Sequence, residues 1–168
     1  MSFVISKQLD VRALRDCLGC FTTGVAIITA RDLRGRPAGL TVNSLASVSL
    51  DPPLILWSLR RDSRILPAFQ ASPGFIVNIL AADQASLSTH FSGRTEDKWA
   101  NVRYGLGLYG IPRLEGVHAT LECEKHSKFD GGDHVIFVGR PVAIATDEDA
   151  SPLVFYRGRY RGVVPNSP

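Results

Sequence analysis

Gly39-Leu40-Thr41-Val42-Asn43-Ser44-Leu45-Ala46-Ser47-Val48-Ser49-Leu50-Asp51-Pro52-Pro53-Leu54 decides the architecture of this chain. Residues 38–43 and 45–50 read as two strands, and Asp51-Pro52-Pro53 stops the second. A third strand runs from Leu54 to Leu59. Thr41, Asn43, Ser44, Ser47 and Ser49 form a polar seam inside an otherwise apolar sheet. Two readings of that seam stand side by side. One is a strand with a solvent face. The other is a docking corner for a flat heterocycle with carbonyls and ring nitrogens, an apolar floor taking the ring and a few donors fixing its orientation.

Upstream, residues 9–20 carry apolar side chains at helical spacing with Asp10 as N-cap. Gly24-Val25-Ala26-Ile27-Ile28-Thr29-Ala30 is β-branched and reads as a strand, and Arg34-Gly35-Arg36-Pro37 as a turn. Downstream, a short helix is expected over Ser63–Ala71 despite Pro67, a strand over Phe75–Leu80, and a helix from Asp83 to about Phe91. An irregular stretch leads to Tyr104. Val117–Ser127 and His134–Thr146 read as strands flanking a tight Asp130-Gly131-Gly132-Asp133 turn. Gly139-Arg140-Pro141 marks a bulge, since proline cannot donate to a central ladder. Leu153–Arg161 is expected to finish the sheet. About eight strands with few helices fit a closed or split β-barrel better than a βαβ sheet, and such a barrel can hold a ligand at its mouth or between two protomers. No repeat or linker divides the chain, so residues 1–168 are expected to form one domain.

Composition narrows the function classes. The chain has 168 residues, 45% apolar and 21% charged, which is ordinary for a globular protein and unlike a disordered or collagenous one. Nineteen Lys and Arg against sixteen Asp and Glu give a net charge of +3, with the arginines scattered. A nucleic-acid surface would mass them on one element. No segment approaches the roughly 18 apolar residues of a membrane span, and the first residues lack a signal-peptide pattern. Three cysteines are too few for a disulfide scaffold. A cytoplasmic location is expected.

Two motifs invite over-reading. Cys17-Leu18-Gly19-Cys20 has the C-x-x-C spacing but sits at the end of a helical pattern, not at the start of a helix after a strand. Buried apolar packing is the expectation for these cysteines. Redox chemistry, or a zinc site completed by Cys123 and His126, are the other readings. Gly105-Leu106-Gly107-Leu108-Tyr109-Gly110 fits G-x-G-x-x-G, but Ile111-Pro112-Arg113 cannot open the helix that a dinucleotide fingerprint needs.

Three further groups could carry chemistry. Arg60-Arg61-Asp62-Ser63-Arg64 is either a phosphate seat at a helix start or a solvated turn. Phe91-Ser92-Gly93-Arg94 with Asp97-Lys98-Trp99 adds donors and aromatics. In Asp130-Gly131-Gly132-Asp133-His134 the glycines permit a tight turn and close approach of a flat ligand, and His134 could meet a carboxamide or be structural. His90, His118 and His126 are expected to be structural.

In order, Phe21-Thr22-Thr23-Gly24-Val25, the Thr41–Pro53 seam, Gly131-Gly132-Asp133-His134 and Phe155-Tyr156-Arg157-Gly158-Arg159-Tyr160 resemble the flavin reductase family, the small reductase components of two-component flavin-dependent monooxygenases. The likeness covers nearly the whole chain. It implies a mainly β, Greek-key split β-barrel of the FMN-binding type with a few peripheral helices, working as a homodimer. It implies that Thr41, Val42, Asn43, Ser44, Ala46 and Ser47 line the flavin ring and ribityl chain. Some relatives have alanine where this chain has Val42, which narrows the pocket. Ser58, Leu59, Arg60, Ser63 and Arg64, with Phe91, Ser92 and Lys98, would reach the phosphate side. His134 would contact the nicotinamide, and Tyr156, Arg157 and Gly158 would complete the substrate site. No metal is implied.

The implied activity is NAD(P)H:flavin oxidoreduction: hydride passes from NADH (or NADPH) to FMN or FAD, and reduced flavin goes to a monooxygenase acting on an aromatic substrate. The protein then contributes positioning and donors rather than a nucleophile. The alternatives are a flavin-binding electron carrier that never meets NAD(P)H, and a zinc-stapled binding protein.

Overall fold

The computed structural model describes residues 10–95 and 97–163. Helix α1 (Val11–Leu18) begins where Asp10 accepts the Ala13 N–H at 2.7 Å. Then come β1 (Thr23–Gly24), β2 (Ala26–Arg31), β3 (Pro37–Val42), β4 (Ala46–Leu50) and β5 (Pro53–Arg60). Helix α2 (Leu66–Ala71), β6 (Gly74–Ile79) and helix α3 (Ala85–Ser92) follow. The last third contains β7 (Tyr104–Leu106), β8 (Pro112–Leu114), β9 (Ala119–Gly131), β10 (His134–Thr146), β11 (Val154–Tyr156) and β12 (Arg159–Arg161).

The main sheet has seven strands in the order β3-β2-β6-β9-β10-β5-β4, each pair antiparallel. Its two edge strands, β3 and β4, are joined by Asn43–Leu45 alone. Laid flat, seven strands would hold the edges about 29 Å apart at ~4.8 Å per spacing. The Val42-to-Ala46 link reaches only about 14 Å. The sheet therefore curls until its edges meet, and the polar seam lies at the meeting line.

Alternation along β5 places Ile55, Trp57 and Leu59 inside and leaves Ser58 and Arg60 outside. Trp57 stacks on Phe137 at 4.7 Å and meets Phe69 and Phe75 edge-on, forming the centre of the curled sheet. A second cluster, Val25, Ile27, Leu80, Phe91, Leu114 and Leu153, fills the space between the sheet's other face and α3. Between the layers, Asn78 donates to the Ile27 carbonyl at 2.9 Å and accepts the Leu114 N–H at 2.8 Å, so the buried amide ties β8 to the sheet.

Several expectations need correction. Leu153–Arg161 does not join the main sheet: β11 and β12 pair with β1 in a separate three-stranded sheet. The helix expected over Ser63–Ala71 starts only at Leu66, with Pro67 in its first turn, where a missing N–H costs nothing. Twelve strands are present among the described residues, the extra ones coming partly from the β7–β8 hairpin that holds Gly105–Gly110. There the Leu108 N–H is taken by the Glu122 carboxylate at 2.7 Å, so this loop presents no phosphate cradle.

Cys17 and Cys20 are exposed rather than buried: α1 buries none of its residues against the described chain, and Cys20 lies just beyond its end. Cys123 is buried, and burial pushes its thiol up to about 12, which leaves it unreactive. The bulge at Gly139–Pro141 is present as two register shifts in the β9–β10 ladder. No helix among the described residues is long and apolar enough to cross a membrane.

Candidate flavin and nicotinamide site

The seam is held to the sheet by one side chain. Ser44 Oγ accepts the Ser58 N–H at 3.1 Å, bridging the link between the sheet edges to the outer face of β5. Asn43, Ala46 and Ser47 stay exposed, so the corner is open. Thr41 is already engaged: its hydroxyl donates to the Ser88 carbonyl of α3 at 2.7 Å. Val42 and Leu59 are buried in the core of the curled sheet, and the Phe91 ring is fully buried in the second cluster. A direct side-chain role of these three toward a ligand is corrected accordingly: their side chains are packing, and only their backbone can face a ligand.

His134 opens β10 directly opposite Arg60, and Ile136 lies opposite Ser58. Ser58 and Arg60 are two residues apart on the outer face of β5, about 7 Å along the strand. The Ser44–Ser58 tie and the imidazole are thus neighbours on one surface. The turn before His134 needs Gly132 at φ 66°, a conformation that favours glycine, and an added Cβ there would meet nothing within 4 Å. Asp133 Oδ1 lies 2.8 Å from His134 Nδ1. That contact, with the imidazole's charge, holds the Asp133 carboxyl below the usual aspartate range. A carboxylate only accepts, so Nδ1 carries the proton of this bond and Nε2 is the nitrogen left to face a ligand.

The cationic residues converge elsewhere along the same edge. Arg64 and Lys98 both line a groove of about 520 Å³ beside β3. Lys98 Nζ donates to the Phe91 carbonyl at 2.6 Å, and its own carbonyl lies 2.8 Å from His90 Nε2, so the segment is clamped to the end of α3. Partial burial pushes the Lys98 ammonium below the usual lysine range. Gly39 makes this approach possible: an added Cβ would sit 2.7 Å from the Phe91 ring and 3.1 Å from Trp99. The half-buried Ser63 donates its N–H to the Arg60 carbonyl at 3.1 Å, and the Arg60 guanidinium pairs with Asp62 at 2.6 Å. Ser92 is exposed, its hydroxyl bonded to the Thr89 carbonyl.

Tyr156, Arg157 and Gly158 form the β11–β12 turn, with Arg157 at φ 47° and Gly158 at φ 75°. Arg157 donates its N–H to the Gly19 carbonyl at 3.0 Å and its guanidinium to Cys20 Sγ at 3.4 Å. This turn is tied to the end of α1, and none of these bonds reaches the β10 end that carries His134.

The residues present suit a flavin nucleotide. Hydroxyls, an amide and open strand-edge backbone stand at the corner, an imidazole lies beside it, and two cations, Arg64 and Lys98, line the groove beside β3. Among the described residues no group of three His, Cys, Asp or Glu could hold a metal ion.

Comparison with known proteins agrees with this chemistry. Residues 18–163 match the flavin reductase like domain family, and the chain belongs to it. It is 39% identical over 163 residues to the flavin-dependent monooxygenase, reductase subunit HsaB, of Rhodococcus jostii, covering 97% of this chain and 83% of that one. It is 43% identical over 151 residues to FMN reductase (NADH) SmoA of Agrobacterium fabrum, covering 89% and 84%. Among solved structures, NADH:FAD oxidoreductase SgcE6 of Streptomyces globisporus, in complex with NAD and FAD fragments, superposes with a TM-score of 0.89. It is 34% identical, over 97% of this chain and all of that one.

Proposed function

We propose that this chain is a cytoplasmic NAD(P)H:flavin oxidoreductase that uses NADH to reduce FMN or FAD and supplies the reduced flavin to a partner monooxygenase acting on an aromatic substrate. The observation that carries the reading is the placement of the Ser44–Ser58 tie and of His134 opposite Arg60 on one face of β5. The printed names of the relatives support the same activity.

Bound flavin supplies the two-electron chemistry, accepting hydride from the nicotinamide. Backbone N–H groups from Val42 to Ser47 and the hydroxyl of Ser47 orient the ring, and Asn43 offers both a donor and an acceptor. Arg64 and Lys98 hold the phosphate, with Ser63 and Ser92 beside them. His134 presents Nε2 to the carboxamide while Asp133 fixes the ring. No side chain of the chain needs to form a covalent bond with the substrate.

The curled sheet is the split barrel of an FMN-binding domain, and two copies pair to complete the site. A single chain leaves the corner open, with Asn43, Ala46 and Ser47 exposed and Phe129 uncovered on the strand beside His134. A second copy supplies the missing wall, and Tyr156–Gly158 act on the nicotinamide across that contact. Anaerobic mixing with NADH and free flavin tests the activity. Catalytic bleaching of the flavin's visible band is expected. Flavin binding without NADH-dependent bleaching would reassign the chain to electron carriage.

A further inference from the structure

We propose that Cys17 and Cys20 form a reversible oxidation site, in which Cys20 reacts with hydrogen peroxide and Cys17 closes a disulfide onto it. The inference goes beyond flavin reduction and rests on the geometry at the end of α1. Both thiols are exposed, so packing does not account for either. The Cys20 N–H donates to the Cys17 carbonyl at 3.0 Å, closing a turn over Cys17-Leu18-Gly19-Cys20. Such a turn holds its first and last Cα atoms within about 7 Å, and a disulfide spans Cα atoms roughly 4.4–6.8 Å apart. A bridge therefore needs side-chain rotation and little movement of the backbone.

The surroundings single out Cys20 as the attacking sulfur. Its Sγ lies 3.6 Å from the Asp16 carbonyl and accepts from the Arg157 guanidinium at 3.4 Å. Gly19 permits that approach. An added Cβ there would lie 3.6 Å from Arg157 Cα and 3.2 Å from the Arg15 carbonyl, and the Arg157 N–H donates to the Gly19 carbonyl at 3.0 Å. Peroxide is attacked by a thiolate, and exposed sulfurs beside a cation are the reactive ones. The β11–β12 turn thus delivers a cation to one sulfur of the pair and leaves the other, one turn back, to resolve the product.

The oxidant is hydrogen peroxide. Cys20 Sγ, its proton released to water, attacks one peroxide oxygen. The O–O bond breaks, an S–O bond forms, and the departing hydroxide takes a proton to become water. Cys17 Sγ then attacks Cys20 Sγ, an S–S bond replaces the S–O bond, and a second water leaves. Two thiols have lost two protons and two electrons, and one peroxide has become two waters. Reduced flavin that meets dioxygen is itself oxidised and yields hydrogen peroxide, so flavin reduction supplies the oxidant beside the site.

Alkylation in denaturant followed by intact mass spectrometry, before and after a small excess of hydrogen peroxide on the folded full chain, tests the site. The chain has three cysteines, and Cys123 is buried with its thiol pushed up to about 12, so it serves as the unreacted reference. The expected result is a fall from three labels to one, in a chain about 2 Da lighter before labelling, reversed by dithiothreitol. Cys17→Ser is expected to stop at a Cys20 sulfenic acid that dimedone traps. Cys20→Ser is expected to react about ten-fold more slowly than Cys17→Ser, and Arg157→Gln to slow disulfide formation by a similar factor. Three labels after peroxide, a disulfide between chains, or oxidation as fast in Cys20→Ser as in Cys17→Ser overturns the assignment. An unchanged rate in Arg157→Gln also overturns it. The assay contains neither flavin nor NADH, so its failure leaves the flavin reading in place, and failure of that reading leaves this site standing.

Discussion

Ser44 Oγ accepts the backbone N–H of Ser58 at 3.1 Å, and this bond fastens the link between the two sheet edges to the strand that faces His134. Ser44→Ala leaves a half-buried N–H without its partner. The expected cost is about 1 kcal/mol, which for a chain of this size lowers Tm by roughly 2–4 °C. The same substitution loosens the seam, so flavin affinity is expected to fall by about ten-fold while KM for NADH changes less. Calorimetry and flavin titration on one preparation check both. Unchanged flavin affinity would detach the seam from the flavin site.

Gly39 is a test of packing at the groove. A methyl placed there would lie 2.7 Å from the Phe91 ring and 3.1 Å from Trp99, and the Phe91 ring is fully buried. Gly39→Ala is expected to destabilise by about 1–3 kcal/mol, the usual cost of forcing extra volume into a packed site. It also displaces Trp99, so tryptophan emission shifts in the folded variant. A urea midpoint identical to that of the native chain would contradict the close approach.

Much of this architecture is legible in the sequence because it is local. The apolar strand run Leu54–Leu59 after the Asp51-Pro52-Pro53 stop, the glycines of the β9–β10 turn and the Asp10 cap each act within a few residues, and each is found as expected. What the sequence hides is set by partners distant along the chain. Phe91 reads as a ligand-facing aromatic, yet it is buried because Gly39, far upstream, lets α3 close on β3. Leu153–Arg161 is strand-like in composition, but nothing local says that its partner is Thr23–Gly24 rather than the main sheet. Arg34 and Arg36 read only as turn residues. Their place in one groove with Pro67 and Lys98 exists only once the chain has folded.

Asp133 and His134 separate orientation from contact. The Asp133 carboxyl is held below its usual range by the imidazole, so the native state binds fewer protons than the unfolded chain in that acid window. Stability from the pair is therefore complete above about pH 4 and is lost as pH falls through the lowered value. In urea denaturation, the difference between the native chain and Asp133→Asn is expected to shrink as pH falls through the acid window of that carboxyl. His134→Ala is expected to raise KM for NADH about ten-fold or more with flavin affinity nearly unchanged, and Asp133→Asn less, since it removes only the orienting partner. An unaltered KM in His134→Ala would refute the contact.

Lys98 gives a second pH dependence, of opposite sense. Burial lowers its ammonium below the usual lysine value, so the charge is present at neutral pH and is lost earlier than for an exposed lysine as pH rises. FMN affinity is expected to fall on the alkaline side at a pH below the usual lysine range, while riboflavin, which lacks the phosphate, follows only the ring's own titration. Lys98→Arg keeps its charge throughout and is expected to remove the difference between the two ligands' pH profiles. Parallel profiles for FMN and riboflavin in the native chain would place the phosphate away from Lys98.

The last prediction concerns α1. Val11, Leu14 and Leu18 share one face of this helix and are 74%, 48% and 64% exposed, and the helix buries none of its eight residues against the described chain. An isolated helix of this length is marginal in water, so an apolar stripe on it requires a partner surface. Phe21, immediately after it, is 76% exposed. If a second copy covers this stripe, native protein elutes as a dimer by light scattering. Leu14→Glu/Leu18→Glu then gives a folded monomer, because neither position is buried among the described residues. Flavin affinity falls with the dimer, since the open corner at Asn43–Ser47 loses its second wall. A native monomer that binds flavin at full affinity would show that one chain suffices, and the exposed stripe would then need a different partner.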